Sequence, residues 1–181
     1  MRRYFSCLLL IAGVLLNGCG YHPTGVQGLP AAVAGKKIAV PVFVNRSYRA
    51  NVGAILAESL TDETARRSGG LVVSEESADL VLSGTVLSYT TSAVSYSAAD
   101  TVKEYRAVIT IEAILAERVS HAVVWKGTLS WSQDYPANSN FTVPQNNVDT
   151  IALQQNNEEA AIREICEKLA LQLYQKISQG F

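Results

Sequence analysis

Cys19 is the residue whose type and position promise chemistry most directly. Ahead of it stand Arg2 and Arg3, an apolar run from Leu8 to Leu16 and the small residue Gly18, the layout of a bacterial secretory leader that ends at a cysteine. Leu16-Asn17-Gly18-Cys19 resembles a lipobox, in which the thiol takes up a diacylglycerol, the peptide before it is cut away and the freed amino group is acylated. Asn17 departs from the small or apolar residue usual at its position. A spanning helix needs about 20 apolar residues, whereas the run from Tyr4 to Leu16 holds thirteen. The leader is too short to be an anchor, so the anchor must be the lipid. An ordinary cleaved leader would leave Cys19 as an unpaired thiol in an oxidising compartment, a liability that acylation removes. Each buried methylene contributes about 0.8 kcal/mol, so two or three acyl chains hold a protein that one chain holds only marginally. Gly20 stands where an Asp would mark inner-membrane retention, and by that sorting rule the expected location is the outer membrane.

The other groups capable of chemistry do not converge. His22 lies in a segment without helical or strand period and His121 in a predicted turn, so neither suits a triad or a metal cage. The sequence holds no Gly-x-Ser-x-Gly, no phosphate loop and no His-Glu-x-x-His, the spacings by which nucleophile, phosphate or zinc are held. Glu75-Glu76 and Glu158-Glu159 read as solvated pairs in a turn and at a helix start. Asn45-Arg46-Ser47 matches a glycosylation sequon, a chance match in a bacterial lipoprotein. Cys7 leaves with the leader and Cys166 then has no partner, so no internal disulfide forms. Cys166 falls on an apolar helix stripe and reads as a small buried hydrophobe. No catalytic residue, metal site or cofactor is expected beyond the S-diacylglycerol and N-acyl groups on Cys19.

Residues 1–18 form the signal peptide, 19–35 the lipidated end and tether, and 36–181 one domain. Of 181 residues, 15 are basic and 16 acidic; the two leader arginines leave 13 basic residues and a net charge of −3. Nucleic-acid binding rests on a basic excess, and there is none.

The elements follow from hydrophobic spacing. Lys36 to Val44 is rich in β-branched residues and predicts a strand, with Pro41 placing it at an edge or a bulge because it cannot donate to a ladder. Val52, Ile55, Leu56 and Leu60 mark the buried face of a helix from about Arg49 to Arg67, stopped by Gly69-Gly70. Val72-Val73 suggests a short strand. Leu80 to about Ser97, Val102 to Glu117 and Val123 to Tyr135 then read as three long strands of an antiparallel meander, the first bending or bulging near its Ser/Thr-rich middle. Tyr105, Ala107, Ile109, Ile111, Ala113 and Leu115 share one face of the second. Trp125, Gly127, Leu129 and Trp131 share one face of the third. Pro136 to Asn147 is a long polar loop. A final helix starts at Asp149 or at Asn156-Asn157-Glu158-Glu159 and turns Ile162, Ile165, Cys166, Leu169, Leu173 and Ile177 inward. The order β-α-β-β-β-α predicts an α+β two-layer sandwich, with two helices on one face of a mostly antiparallel, mixed four-stranded sheet. A right-handed crossover through the first helix makes the first strand parallel to a neighbour.

Several stretches together carry a family resemblance. Cys19-Gly20-Tyr21-His22-Pro23, Ile38 to Tyr48 leading into a helix with Leu60-Thr61-Asp62, and Asp79 to Gly84 resemble the LPS-assembly lipoprotein LptE family over nearly the whole mature chain. That resemblance implies two helices on a four-stranded sheet. It further implies a lipid-anchored protein facing the periplasm or lodged in a barrel lumen, which plugs the outer-membrane β-barrel LptD and assists assembly of lipopolysaccharide (LPS) into the outer leaflet. With LPS as ligand, strand alternation points Arg106 and Lys126 away from the apolar faces, where an Arg fork and a Lys point charge could meet its phosphates. The alternative is an independent periplasm-facing lipoprotein, enzyme or solute binder, which would need a convergent polar pocket.

Overall fold

The computed structural model describes residues 33–68, 72–137 and 147–179. Cys19 with its leader, most of the tether, the glycine pair at 69–70 and most of the long loop lie outside the described residues. The elements are β1 (Ile38–Ala39), β2 (Val44–Asn45), α1 (Val52–Ser68), a single 3-10 turn at Glu75–Ser77, β3 (Leu80–Tyr96), β4 (Val102–Glu117), β5 (Val123–Pro136) and α2 (Asn147–Ser178). Strand order across the sheet is β1-β3-β4-β5, with β2 alongside β3 on the same edge as β1. The expected first strand is thus two short pieces, separated around Pro41, each parallel to β3: Ile38 faces Leu80 and Val44 faces Thr85. Val72 contributes an isolated parallel bridge to Ile38 in place of the expected short strand.

The meander is antiparallel throughout, and β3 carries the anticipated irregularity. Val86 and Ser88 face the consecutive residues Ile111 and Thr110, so Leu87 is an extra, unpaired residue. A bulge of this kind reverses the side-chain alternation. Even-numbered Leu80, Leu82 and Val86 point into the core before it, and odd-numbered Tyr89 does so after it.

One core joins both layers. It contains Val52, Leu56 and Leu60 from α1, Ala107, Ile109, Ile111, Ala113 and Leu115 from β4, and Ile162, Ile165, Cys166, Leu169, Leu173 and Ile177 from α2. Val33, in the stretch read as tether, is also fully buried there. Trp131 does not share the burial of Leu129 expected for it: it stays 37 % exposed on the outermost strand, and Trp125 is only partly buried, its ring lying over Gly127. Burial pushes the Cys166 thiol up to about 12, so it is a neutral packing group.

Both helices begin elsewhere than their spacing suggested. Asn45 accepts from the Ser47 N–H (3.0 Å) and Ser47 Oγ (2.7 Å) and donates to the Arg49 carbonyl (2.7 Å), which holds the chain out of helical geometry. Asn51 then turns at φ 65, and its carbonyl accepts from Ala54 and Ile55 to start α1 at Val52. The Asn-x-Ser match is therefore a structural turn. In contrast, α2 starts at Asn147, earlier than either expected position. Asn157 Nδ2 donates to the Pro136 carbonyl at the end of β5 (3.2 Å), and from Ile151 onward Ala161 is the first buried residue of α2. The turns before Asn157 pass the sheet end and run on for about 15 Å at 1.5 Å per residue.

The two ends of the domain differ. The chain enters beside the β4–β5 turn, where Lys36 Nζ meets Glu117 (3.2 Å) and the Lys37 N–H donates to Asp79 (2.9 Å). The opposite end holds the β3–β4 turn and the projecting turns of α2. Lys36 and Lys37 and these projecting elements thus lie at opposite ends of a strand about 56 Å long, taking 3.3 Å per residue.

Candidate functional site

The sheet face away from the helices carries the two cations singled out above. Both are exposed there, and each is already partnered. Arg106 grips the directly opposed Asp134 with two donors, Nε to Oδ1 at 2.6 Å and Nη2 to Oδ2 at 2.7 Å. That bond holds the Asp134 carboxyl below its usual range and raises Arg106 in turn. Lys126, opposite Ile114, reaches diagonally to Glu112 Oε2 at 3.1 Å. The structure does not bring the two cations together: eight residues of β4 separate Arg106 from Ile114, about 26 Å at 3.3 Å per residue. A guanidinium has five donors and an ammonium three, so each keeps free N–H groups for a further acceptor.

Between these ion pairs the face is rich in hydroxyls, while exposed Glu104, two residues before Arg106 on β4, adds an acid with no ion-pair partner among the described residues. Thr110 Oγ1 lies 3.2 Å from Ser130 Oγ, and Thr128 and Ser132 continue the row. Val42 (69 % exposed), Val44 (58 %) and Leu87 (41 %) form an apolar margin where β2 meets β3.

A second polar constellation lies within the helix layer. Tyr89, only 2 % exposed, donates to Glu158 Oε1 at 2.6 Å, and Arg49 Nη2 stands 3.7 Å from Glu158 Oε2. The Tyr48 ring meets Tyr89 edge-on at 5.4 Å, and the Tyr135 hydroxyl lies 3.0 Å from Thr91 Oγ1. A cleft of about 230 Å³ opens beside this group, lined by Arg49, Ala50, Asn51, Ile55, Glu159 and Ile162. Burial first, and the Glu158 bond second, push the Tyr89 hydroxyl well above its ordinary 10.0. The arrangement ties the β2–α1 loop, β3 and α2 together and contains no nucleophile with an adjacent base. Among the described residues no cluster of His, Cys, Asp and Glu could hold a metal ion, and no helix is long and apolar enough to cross a membrane.

The pattern that defines the family described as "LptE: Lipopolysaccharide-assembly" matches residues 35–177. The chain belongs to this family. Its LptE-type domain thus takes in every described element from β1 to within a residue of the end of α2. A search of curated proteins found no match. Among solved structures, the chain is similar to lipoprotein B from Nitrosomonas europaea, with 15 % identity, a TM-score of 0.50, and coverage of 86 % of this chain and 87 % of that one. It also aligns with the rare lipoprotein B from Shewanella oneidensis, with 17 % identity, a TM-score of 0.46, and coverage of 76 % and 93 % respectively. At 15 % identity the likeness to the Nitrosomonas protein concerns the fold alone.

Sequence reasoning took Glu158 in this LptE-family chain for solvated charge, yet its carboxylate is bound on both oxygens. The signal was present: Glu158 stands four residues before Ile162 and so falls on the apolar stripe of α2, where an acid calls for an inward partner. Replacing Tyr89 with phenylalanine leaves that carboxylate without its closest donor, and the expected loss is about 1–3 kcal/mol in urea unfolding. A loss below about 0.5 kcal/mol, the ordinary range of surface substitutions, would mean that the bond does not form. The tyrosine's raised folded-state pKa adds a pH signature. Its contribution is complete below the unfolded value near 10 and is lost as pH rises above it, so the gap between wild type and Tyr89→Phe should narrow only in that alkaline range.

Proposed function

We propose that the chain is an outer-membrane lipoprotein, held by diacylglycerol and acyl groups on Cys19, that plugs and supports the LPS-translocating barrel LptD. In that position it assists delivery of LPS to the outer leaflet and works as a structural and binding subunit, without catalysis. The observation that carries the reading is the family match across residues 35–177. The outer sheet face supports it, because Arg106–Asp134 and Lys126–Glu112 are already paired within the domain and bring little unpaired charge into a protein contact. Co-purification tests it: a tagged full-length chain extracted from outer membranes in detergent should bring down a large β-barrel. Its recovery without any barrel would favour the independent enzyme or solute binder.

Anchoring and ligand contact are separable. Cys19→Ala should move the protein to the soluble periplasmic fraction or stall its processing, read by fractionation of cells lacking the barrel partner. Unchanged attachment in those cells would show that Cys19 is not the anchor. For LPS we place the phosphate contacts at Arg106 and Lys126, whose remaining donors face outward. The double substitution Arg106→Gln and Lys126→Gln should weaken LPS binding several-fold while recovery of the barrel stays unchanged. Glutamine is preferable to charge reversal, which would set an acid against Asp134 and confound binding with stability. Undiminished binding would place the contact elsewhere.

A further inference from the structure

The end of the domain that holds Lys36 and Lys37 also carries its barest apolar side chains. Val119, in the β4–β5 turn, is 78 % exposed, and among the described residues no large apolar side chain is more so; Val123, where β5 begins, is 61 % exposed. The turn between them is tightly bonded. The Arg118 N–H donates to the Asp79 carbonyl (3.0 Å), the Glu117 N–H to the Ala122 carbonyl (2.9 Å) and the His121 N–H to the Glu117 carbonyl (2.9 Å), with His121 at φ 56. Ser120 Oγ donates to Glu117 Oε2 (2.8 Å) and Arg118 Nε to the Ala78 carbonyl (2.7 Å). Val119 is thus held outward by the bonds of its own turn. Its surroundings are no basic patch: Lys36, Lys37 and Arg118 stand with Glu75, Glu76, Asp79 and Glu117, and Lys36 is paired with Glu117.

We propose that this end of the domain rests on the phospholipid surface that holds the acyl groups of Cys19, with Val119 and Val123 entering the boundary between headgroups and acyl chains. The contact rests on the anchor assigned to Cys19 above, and it belongs to the anchored chain before a barrel takes it up. Reach decides which end meets the bilayer. Cys19 stands 14 residues ahead of Val33, and fully extended those residues span roughly 50 Å at 3.3–3.6 Å each. Val33 shares a small cavity with Ile38, Leu82 and Leu115. From Leu82 to Tyr96, the other end of β3, is about 46 Å at 3.3 Å per residue, before the β3–β4 turn and the projecting turns of α2 are added. Standing on that far end would demand all 14 residues drawn straight; standing on the β4–β5 turn demands few of them. Two valines bind a membrane weakly, but the anchor makes the contact intramolecular, so a low intrinsic affinity suffices. With acids and cations mixed around the turn, the contact needs no anionic lipid.

The lipidated full-length chain in vesicles tests this. Ala122→Cys, exposed in the turn, carries a fluorophore and leaves both valines in place; Leu153→Cys, exposed on the projecting turns of α2, is the control at the other end. Cys166 is buried and Cys19 is acylated, so neither takes up the label. In vesicles of phosphatidylethanolamine and phosphatidylcholine containing a nitroxide lipid, the probe at Ala122 should be quenched several-fold more than the probe at Leu153, equally with and without phosphatidylglycerol and at low and high salt. Adding Val119→Ser and Val123→Thr should bring the quenching down to the control and leave the thermal midpoint unchanged. Equal quenching at the two sites of vesicle-bound protein would overturn the contact, as would quenching that survives the paired substitution. Quenching lost at high salt or without phosphatidylglycerol would overturn it too, by assigning the contact to the cations. Protein that does not float with the vesicles would overturn the anchor itself and this contact with it, a failure distinct from protein that floats unquenched.

Discussion

Leu169→Ala is expected to cost about 2–5 kcal/mol, measured as the shift in urea unfolding at constant slope. Leu169 is fully buried midway along the inward stripe of α2, between Ile165 and Leu173, and packs in the core shared by α1, β4 and α2. Truncation removes apolar area and leaves a space that this core cannot close. Helices and strands hold it on every side, and Ile162, Ile165, Cys166 and Leu173 around the site are themselves buried. A loss below about 1 kcal/mol would mean that the site collapses without strain or that Leu169 is not interior. Leu153, in the projecting turns of the same helix, is 53 % exposed, and its replacement by alanine should lie within about 0.5 kcal/mol of wild type.

Gly84→Ala should be damaging for the opposite reason. A Cβ at this position would stand 2.2 Å from the Glu112 carbonyl oxygen, 2.5 Å from Phe43 Cε1 and 3.0 Å from Ala113 Cα. Phe43 could yield by changing rotamer, but the Glu112 and Ala113 atoms are the backbone of the neighbouring strand. Relief therefore requires β3 and β4 to separate where β2 joins them. Overpacking costs about 1–3 kcal/mol and more where backbone must move. The distinguishing expectation is failure of rescue: Phe43→Leu combined with Gly84→Ala should be no more stable than Gly84→Ala alone. Recovery in the double variant would assign the clash to the ring.

Most of the fold was legible because burial leaves a period. Ala107 to Leu115 alternate and Ile162 to Ile177 recur every three or four residues, each pattern matching the face that the structure buries. Pro41 marked the edge where the first strand breaks. The early start of α2 was hidden because its apolar residues Ile151 and Leu153 are exposed and impose no inward period. The ion pairs depended on register. Arg106 meets Asp134 and Lys126 meets Glu112 across two strands whose alignment shifts by a residue between Leu115 and Ala116. Alternation could show which way the cations point without showing what they hold. The bond between Tyr89 and Glu158 spans 69 positions, beyond any local pattern.

The bulge at Leu87 gives β3 a tolerance that its regularly paired stretches lack. Elsewhere in a strand, loss of one residue exchanges the inner and outer faces of everything downstream. At Leu87 the same loss would restore the count, since Val86 and Ser88 already face neighbouring residues of β4. At this point, beside the apolar margin of Val42 and Val44, the strand holds a residue of slack, which this chain can lose without turning its core inside out.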